Sequence, residues 1–307
     1  LLPVPTKPPE TPSALLTAKA IFSVLREEVI GIDEPLMRFS TQMSLHMRRL
    51  ELIKRNIRPT VGPVVTVLIG SPGSGKTMTA ESFAKISGLP YSVADMSGVS
   101  QSCYVGLSLD ECFYGLLANK TKPHEASMGI VVMDEICKIV AKGSGGHASA
   151  DPQGRGIQAE LLKPLEGCKL PLGSRRSNTP SFGVLDLWNT CFVLAGAFDG
   201  LREQLSDDSR RSVGLGFGSE PTKSMRGDIR DALVRYGFME QLVNRIGAII
   251  VLPDPCPEQI ARILSHPNGL IAKQNAFLGS FGMRLALTDE SIRYLADYSC
   301  WTKGHSR

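Results

Sequence analysis

Gly70-Ser71-Pro72-Gly73-Ser74-Gly75-Lys76-Thr77 fits the phosphate-loop pattern G-x-x-x-x-G-K-[ST], and its neighbours give the match meaning. Before it, Val64-Val65-Thr66-Val67-Leu68-Ile69 reads as a buried strand; after it, Met78 to Ser87 reads as a helix start. Glycines let the backbone wrap a phosphate group, so that successive N–H groups and the helix N-terminus face the anion. In that arrangement Ser71, Pro72, Gly73, Ser74, Gly75, Lys76, Thr77 and Met78 surround the phosphates. Lys76 reaches the outer ones, and the Thr77 hydroxyl holds Mg²⁺. The competing reading, a chance glycine turn, is disfavoured by strand before and helix after.

Ile130-Val131-Val132-Met133-Asp134-Glu135 reads as the second half of a nucleotide site. Four apolar residues make a buried strand, and two carboxylates emerge at its C-terminal end, where open parallel sheets bind ligands. Asp134 then serves the Mg²⁺ shell and Glu135 polarises the attacking water. A strand that merely ends in solvated acids is the competing reading, and the phosphate loop upstream weakens it. Phosphoryl transfer also needs positive charge against the transition state. Arg245, in Gln241-Leu242-Val243-Asn244-Arg245-Ile246-Gly247, is the candidate arginine finger; a surface arginine is the alternative.

Outward from these motifs, the chain of 307 residues is 42% hydrophobic and 21% charged, the composition of a soluble globular protein with a sizeable core. A net charge of +4 is weak support for a nucleic-acid partner. The basic cluster Met47-Arg48-Arg49, with Lys54, Arg55 and Arg58, reads as a solvated helix face. Seven cysteines without a C-x-x-C pair argue against a zinc ribbon and a disulfide framework, and for a reducing compartment, the cytoplasm or an organelle matrix. No apolar stretch approaches membrane-spanning length.

Strand candidates Val64–Ile69, Tyr91–Asp95, Ile130–Met133, Cys191–Ala195 and Ala248–Leu252 alternate with helical stretches. That alternation predicts an α/β fold, a parallel sheet with helices on both faces. Residues 1–13 read as a proline-rich extension, 14–253 as a large α/β domain and 254–307 as a small helical domain. Lys142–Gly156, Pro171–Gly183 and Ser206–Gly227 read as loops.

Taken together, the motifs resemble the ClpX family of AAA+ protein unfoldases. Val29-Ile30-Gly31 is similar to the family's adenine-packing segment, and Cys103-Tyr104-Val105-Gly106 to its G-Y-V-G pore loop. Gly129 through Ile139 resembles its carboxylate strand, with Cys137 at a usual aspartate. Leu161-Leu162-Lys163-Pro164-Leu165-Glu166-Gly167 resembles the helix that follows; Ala195-Gly196-Ala197-Phe198 and Tyr236-Gly237-Phe238-Met239 to Arg245 follow in the family's order. The related HslU carries a large insertion after the carboxylate strand, for which this chain has no room.

The resemblance implies a P-loop AAA+ ATPase that binds ATP and Mg²⁺ at subunit interfaces of a homo-oligomeric, hexameric ring. It implies catalytic roles for Lys76, Asp134, Glu135 and Arg245, with Arg245 acting on the neighbouring subunit's nucleotide, and adenine contacts at Val29 and Ile30. Arg307, in Gly304-x-x-Arg307, takes the sensor-2 place, with Lys303 as the alternative. Tyr104 and Val105 grip a polypeptide in the channel; Arg175 and Arg176 read equally as a second pore loop or a solvated loop. Leu215-Gly216-Phe217 resembles the tripeptide that docks on a ClpP-like peptidase. The family's zinc-binding N-terminal domain has no counterpart here, and no zinc is expected. The implied function is ATP-dependent unfolding and delivery of polypeptides to a peptidase. Two other readings stay open: a peptidase-independent remodelling ATPase and a nucleic-acid motor or loader, the latter disfavoured by charge and by the Tyr-Val loop.

Overall fold

The structure is a computed structural model that describes residues 16–99, 109–120, 122–140, 152–172, 183–201, 225–267 and 269–305. In chain order its elements are α1 (Ala18–Glu28), α2 (Asp33–Lys54), β1 (Val64–Ile69), α3 (Lys76–Ser87), β2 (Tyr91–Asp95), α4 (Pro123–Ala126), β3 (Ile130–Asp134) and α5 (Pro152–Glu166). Then follow β4 (Lys169–Leu172), β5 (Gly183–Asp186), β6 (Cys191–Gly196), α6 (Met225–Tyr236), α7 (Glu240–Val243), β7 (Ala248–Val251), α8 (Pro257–Leu264), α9 (Leu270–Gly279) and α10 (Asp289–His305).

Five strands form one parallel sheet in the order β2-β3-β6-β1-β7. Side chains alternate across a strand, and here the alternation feeds two cores. Val65, Val67 and Ile69 of β1, with Val131, Met133, Phe192 and Leu194, face a core that includes Phe113, Leu161 and Leu242. Val64, Leu68, Ile130, Val132, Cys191 and Val193 face the other, with Phe39, Met43 and Phe83 from α2 and α3. Every residue of β1 and of β6 is buried. Strands covered on both faces must be apolar almost throughout, which is why these runs stand out in the sequence.

Several expectations need correction at the edges. The helix after the phosphate loop begins at Lys76, not Met78, so Lys76 and Thr77 belong to its first turn. The stretch expected as a loop over 171–183 is bounded by an antiparallel pair, β4 with β5, that registers Leu170 with Leu185. The loop expected to reach Gly156 ends earlier, because α5 starts at Pro152.

The basic cluster on α2 is not a uniformly solvated face. Arg48, Lys54, Arg55 and Arg58 are exposed, but Arg49 is only 3% exposed and its Nη2 donates to the Trp188 carbonyl at 2.6 Å. Arg58 stacks its guanidinium 4.8 Å from the Trp188 ring centroid. One turn before Arg49, His46 is fully buried with Nε2 at 3.3 Å from the Met128 carbonyl. Burial, reinforced by the Arg49 cation, pushes the His46 imidazole from its ordinary 6.5 down to about 3.

That shift makes stability pH-dependent with a definite sign. Below pH 6.5 the unfolded chain takes up a proton on His46 that the folded chain refuses until about pH 3. Stability therefore falls on acidification through this window, by up to about 1.4 kcal/mol per pH unit from this group. Urea unfolding at pH 7 and pH 5 should show the loss, and His46→Gln should remove about 2 kcal/mol of it. An unchanged pH slope in the variant would contradict this account.

Candidate functional site

The described site lies at the C-terminal edge of the sheet, where β1, β6 and β3 end side by side. Register places Val64 and Ile130 level on either side of Cys191, so the phosphate loop after Ile69 and the carboxylates at Asp134 emerge close together. The loop is tied down by Gly70 N–H to the Gly196 carbonyl at 3.2 Å and by a Ser74-to-Ser71 turn at 3.1 Å. Gly73 and Gly75 hold φ of 76° and 91°, a left-handed backbone that a side chain disfavours.

Gly75 caps α3 without any side-chain hydrogen bond, and the first turn carries no acid. With neither a side-chain cap nor an acid there, the positive end of the helix dipole favours an anion. Lys76, 7% exposed, turns its ammonium back onto the loop, donating to the Gly70 and Ser71 carbonyls at 2.8 and 2.9 Å. The cation is therefore held within the loop whose amides would face the phosphates.

Thr77 and Asp134, 57 positions apart, meet directly: the Thr77 hydroxyl donates to Asp134 Oδ2 at 2.5 Å. The other oxygen, Oδ1, accepts the Glu135 N–H at 2.8 Å. A hydroxyl and a carboxylate oxygen side by side are the hard-oxygen donors that suit Mg²⁺. Glu135 has φ of 53°, a strained conformation for a residue with a side chain. It opens a tight turn over Ile136–Ile139, and the Cys137 thiol lies 3.7 Å from Glu135 Oε2 as a weak donor. Beside this turn, Phe198, Tyr236 and Phe238 pack their rings 5.7–6.4 Å apart. Burial lifts the Tyr236 phenol to about 12, helped by Cys137 and Asp199.

Val29 and Ile30 sit next to this edge. Val29 is buried in the same core as Leu68, Ala80, Phe83 and Leu252, beneath α3 and the end of β1. The Ile30 carbonyl accepts from Gln259 Nε2 of α8 at 2.9 Å, and Gly31 at φ 83° gives that side chain room. Gln259 was not legible as a site neighbour: its partner lies 229 positions away.

Arg245 is placed elsewhere. Gly247 N–H pairs with the Val65 carbonyl at the start of β1, whereas Gly70 follows its end. About 16 Å of strand separates those levels, beyond the reach of one side chain. Arg245 pairs instead with Glu166 at the end of α5, each about half exposed. Tyr104, Val105, Arg175, Arg176, Leu215, Gly216, Phe217 and Arg307 lie outside the described residues.

The family profile described as "ATPase family associated with various cellular activities (AAA)" matches residues 66–208. The Azotobacter vinelandii protein named ATP-dependent Clp protease ATP-binding subunit ClpX is 30% identical over 301 residues, covering 92% of this chain and 68% of that protein. ClpX 2 of Wolinella succinogenes is 31% identical over 300 residues, covering 94% and 72%. ClpX of Treponema denticola is 29% identical over 280 residues, covering 87% and 67%.

Fold and site together define an ATP-hydrolysing phosphate-loop protein of the AAA class. Within that class, the chain belongs to the ClpX family. It is accordingly an ATP-driven unfoldase of the ClpX kind. Among the described residues, no helix is long and apolar enough to cross a membrane.

The loop leaves no spare volume at its first glycine. A Cβ on Gly70 would lie 2.6 Å from Ser74 Oγ and 3.1 Å from Leu252 Cβ. Gly70→Ala must displace the loop, and strain of about 1–3 kcal/mol should weaken nucleotide binding roughly ten- to a hundredfold. Titration with a fluorescent ATP analogue measures this; unchanged affinity would show that the loop yields freely.

Proposed function

We propose that this chain works as one protomer of a homo-oligomeric, hexameric ring in which each ATP is bound by one subunit and completed by the next. The observation that carries the reading is the position of Arg245, half exposed and at the opposite sheet edge from its own phosphate loop. A cation there is useless to its own nucleotide and well placed for a neighbour's. The exposed apolar surface of the C-terminal helices and the connection between them supports assembly: Leu270, Phe277, Phe281, Met283, Tyr294 and Tyr298 are each more than half exposed.

Within one protomer, the glycine-rich loop and the open end of α3 cradle the phosphates, and Lys76 leaves its loop carbonyls to meet the outer ones. Thr77 and Asp134 hold Mg²⁺, which when bound offsets phosphate charge. Glu135 accepts a proton from the attacking water. Val29 and Ile30 flank the adenine, and Gln259 links that turn to the C-terminal helices. Bound nucleotide is thereby coupled to the orientation of residues 254–307, read as the small helical domain, whose Arg307 would reach the phosphates.

Work on a polypeptide falls to Tyr104 and Val105, with Arg175 and Arg176 as a second contact. An aromatic side chain gives large, sequence-tolerant contact with few rotamers to freeze. The relatives' shared name, Clp protease ATP-binding subunit, supports delivery to a peptidase, with Leu215-Gly216-Phe217 as the docking tip.

The test is complementation. Arg245→Ala and Lys76→Ala should each lose ATP hydrolysis, by about 10³-fold or more for the arginine. Mixed, they should regain part of it, because some interfaces pair an intact loop with an intact arginine. No recovery in mixed rings would remove the shared site. Separately, Glu135→Gln should cut turnover by about 10²–10⁴-fold while ATP stays bound. Such rings should stop unfolding a fluorescent protein that carries an unstructured tail; undiminished hydrolysis would take Glu135 out of its role.

A further inference from the structure

The backbone around Arg245 is pinned at several points. Gln158, buried in the middle of α5, accepts the Met239 N–H on Oε1 at 2.8 Å and donates to the Gly237 and Ile139 carbonyls at 3.4 and 3.2 Å. The Arg230 guanidinium from α6 straddles the far side, donating to the Val243 carbonyl at 2.8 Å and the Ile246 carbonyl at 2.7 Å. Those two carbonyls bracket Arg245. Arg245 N–H itself donates to the Leu242 carbonyl at 3.0 Å.

The side chain is held differently. Its described partner is the Glu166 carboxylate, and the two side chains are 51% and 45% exposed. An ion pair so open to water is weakly held. Glu166 is also the last residue of α5, where a carboxylate faces the negative end of the helix dipole, and its described ion-pair partner is Arg245. Its own position is secure: Gly167 turns the chain at φ 86° directly against Trp188, and a Cβ there would come within 2.7 Å of Trp188 Cα. The arrangement is a fixed backbone at both residues and a solvent-exposed ion pair that the guanidinium can leave at low cost.

We propose that Glu166 is a positioning residue that parks Arg245 between turnovers, and that Arg245 is handed from this carboxylate to the outer phosphates of the neighbouring protomer's ATP. The proposal rests on the reading of Arg245 as the shared-site arginine. A phosphate group offers the guanidinium a stronger, bidentate partner than a half-exposed carboxylate does, so the hand-off proceeds when ATP arrives and reverses when phosphate leaves. Because α5 also carries Gln158, which touches the turn after Glu135 through Ile139, the parked arginine and the protomer's own carboxylates share one rigid bar.

The hand-off fixes the sign of the test. If Glu166 competes with the nucleotide for Arg245, Glu166→Gln frees the guanidinium. The kcat/KM for ATP should then rise about two- to fivefold, carried by a lower KM with kcat within about twofold. Glu166→Asp, with the charge retained on a shorter arm, should fall between. A purely structural role for Glu166 predicts the opposite sign, a loss of kcat/KM. Sedimentation at the assay concentration checks that the variants assemble alike, and Arg245→Ala is run beside them. If Arg245→Ala loses hydrolysis while Glu166→Gln leaves kcat/KM unchanged or lowers it, the parking role is wrong and the shared arginine stands. If Arg245→Ala hydrolyses ATP normally, the shared-arginine reading fails and the hand-off with it.

Discussion

The hydrogen bond between the Thr77 hydroxyl and the Asp134 carboxylate is the contact on which the site depends, because it ties the helix that follows β1 to the end of β3, and those two strands do not touch. β1 and β3 are separated by β6, and both pair with it in register from Cys191 onward. That register makes their ends level, and levelness is what lets a hydroxyl in the first turn of α3 reach a carboxylate at the tip of β3. A one-residue slip of either strand would turn its side chains to the opposite face and part the pair. The two apolar cores prevent the slip, since each strand presents alternate residues to a different one. The chemistry at the edge is therefore set by packing in the middle of the sheet.

Much of this could be read from the chain because burial on both faces leaves a simple trace. Val64–Ile69 and Cys191–Gly196 are apolar apart from Thr66, and both strands were legible to within a residue. The phosphate loop was legible for a different reason: its glycines are needed for φ, whatever the rest of the fold does. The β4–β5 pair escaped because Pro171 interrupts the pattern and the strands are four residues each. Arg49 escaped because a charge in the sequence carries no sign of the carbonyl that will meet it, here Trp188, 139 positions on. The same holds for Glu166 with Arg245 and for Gln259 with Ile30: each contact joins residues brought together only by the fold.

The polar cluster at the other end of the sheet follows another logic. His46, Arg49 and Cys191 are all buried near the start of β6, and burial is the main influence on the titration of each. Burial keeps the imidazole neutral and lifts the Cys191 thiol to about 12, so the guanidinium is the cluster's one charge at neutral pH. Its Nη2 bond to Trp188 ties α2 to the turn before β6. This ties down the N-terminal ends of the strands and leaves the C-terminal ends to the nucleotide.

On the proposed reading, the catalytic parts are rigid with respect to each other and one part is free to cross a seam between subunits. The described contacts divide along that line. Within the phosphate site the bonds are short and largely sheltered: Thr77 to Asp134, Lys76 to its loop carbonyls, Asp134 to the Glu135 amide. Around Arg245 the backbone bonds from Gln158 and Arg230 are similarly sheltered, while the side chain's ion pair is open to water. Exposure costs that pair most of its strength. The weakness is informative, because a guanidinium locked in a buried pair would pay several kcal/mol to leave it. If Arg245 changes partners at each turnover, as proposed, a half-exposed carboxylate at the end of α5 is a holder it can leave at low cost.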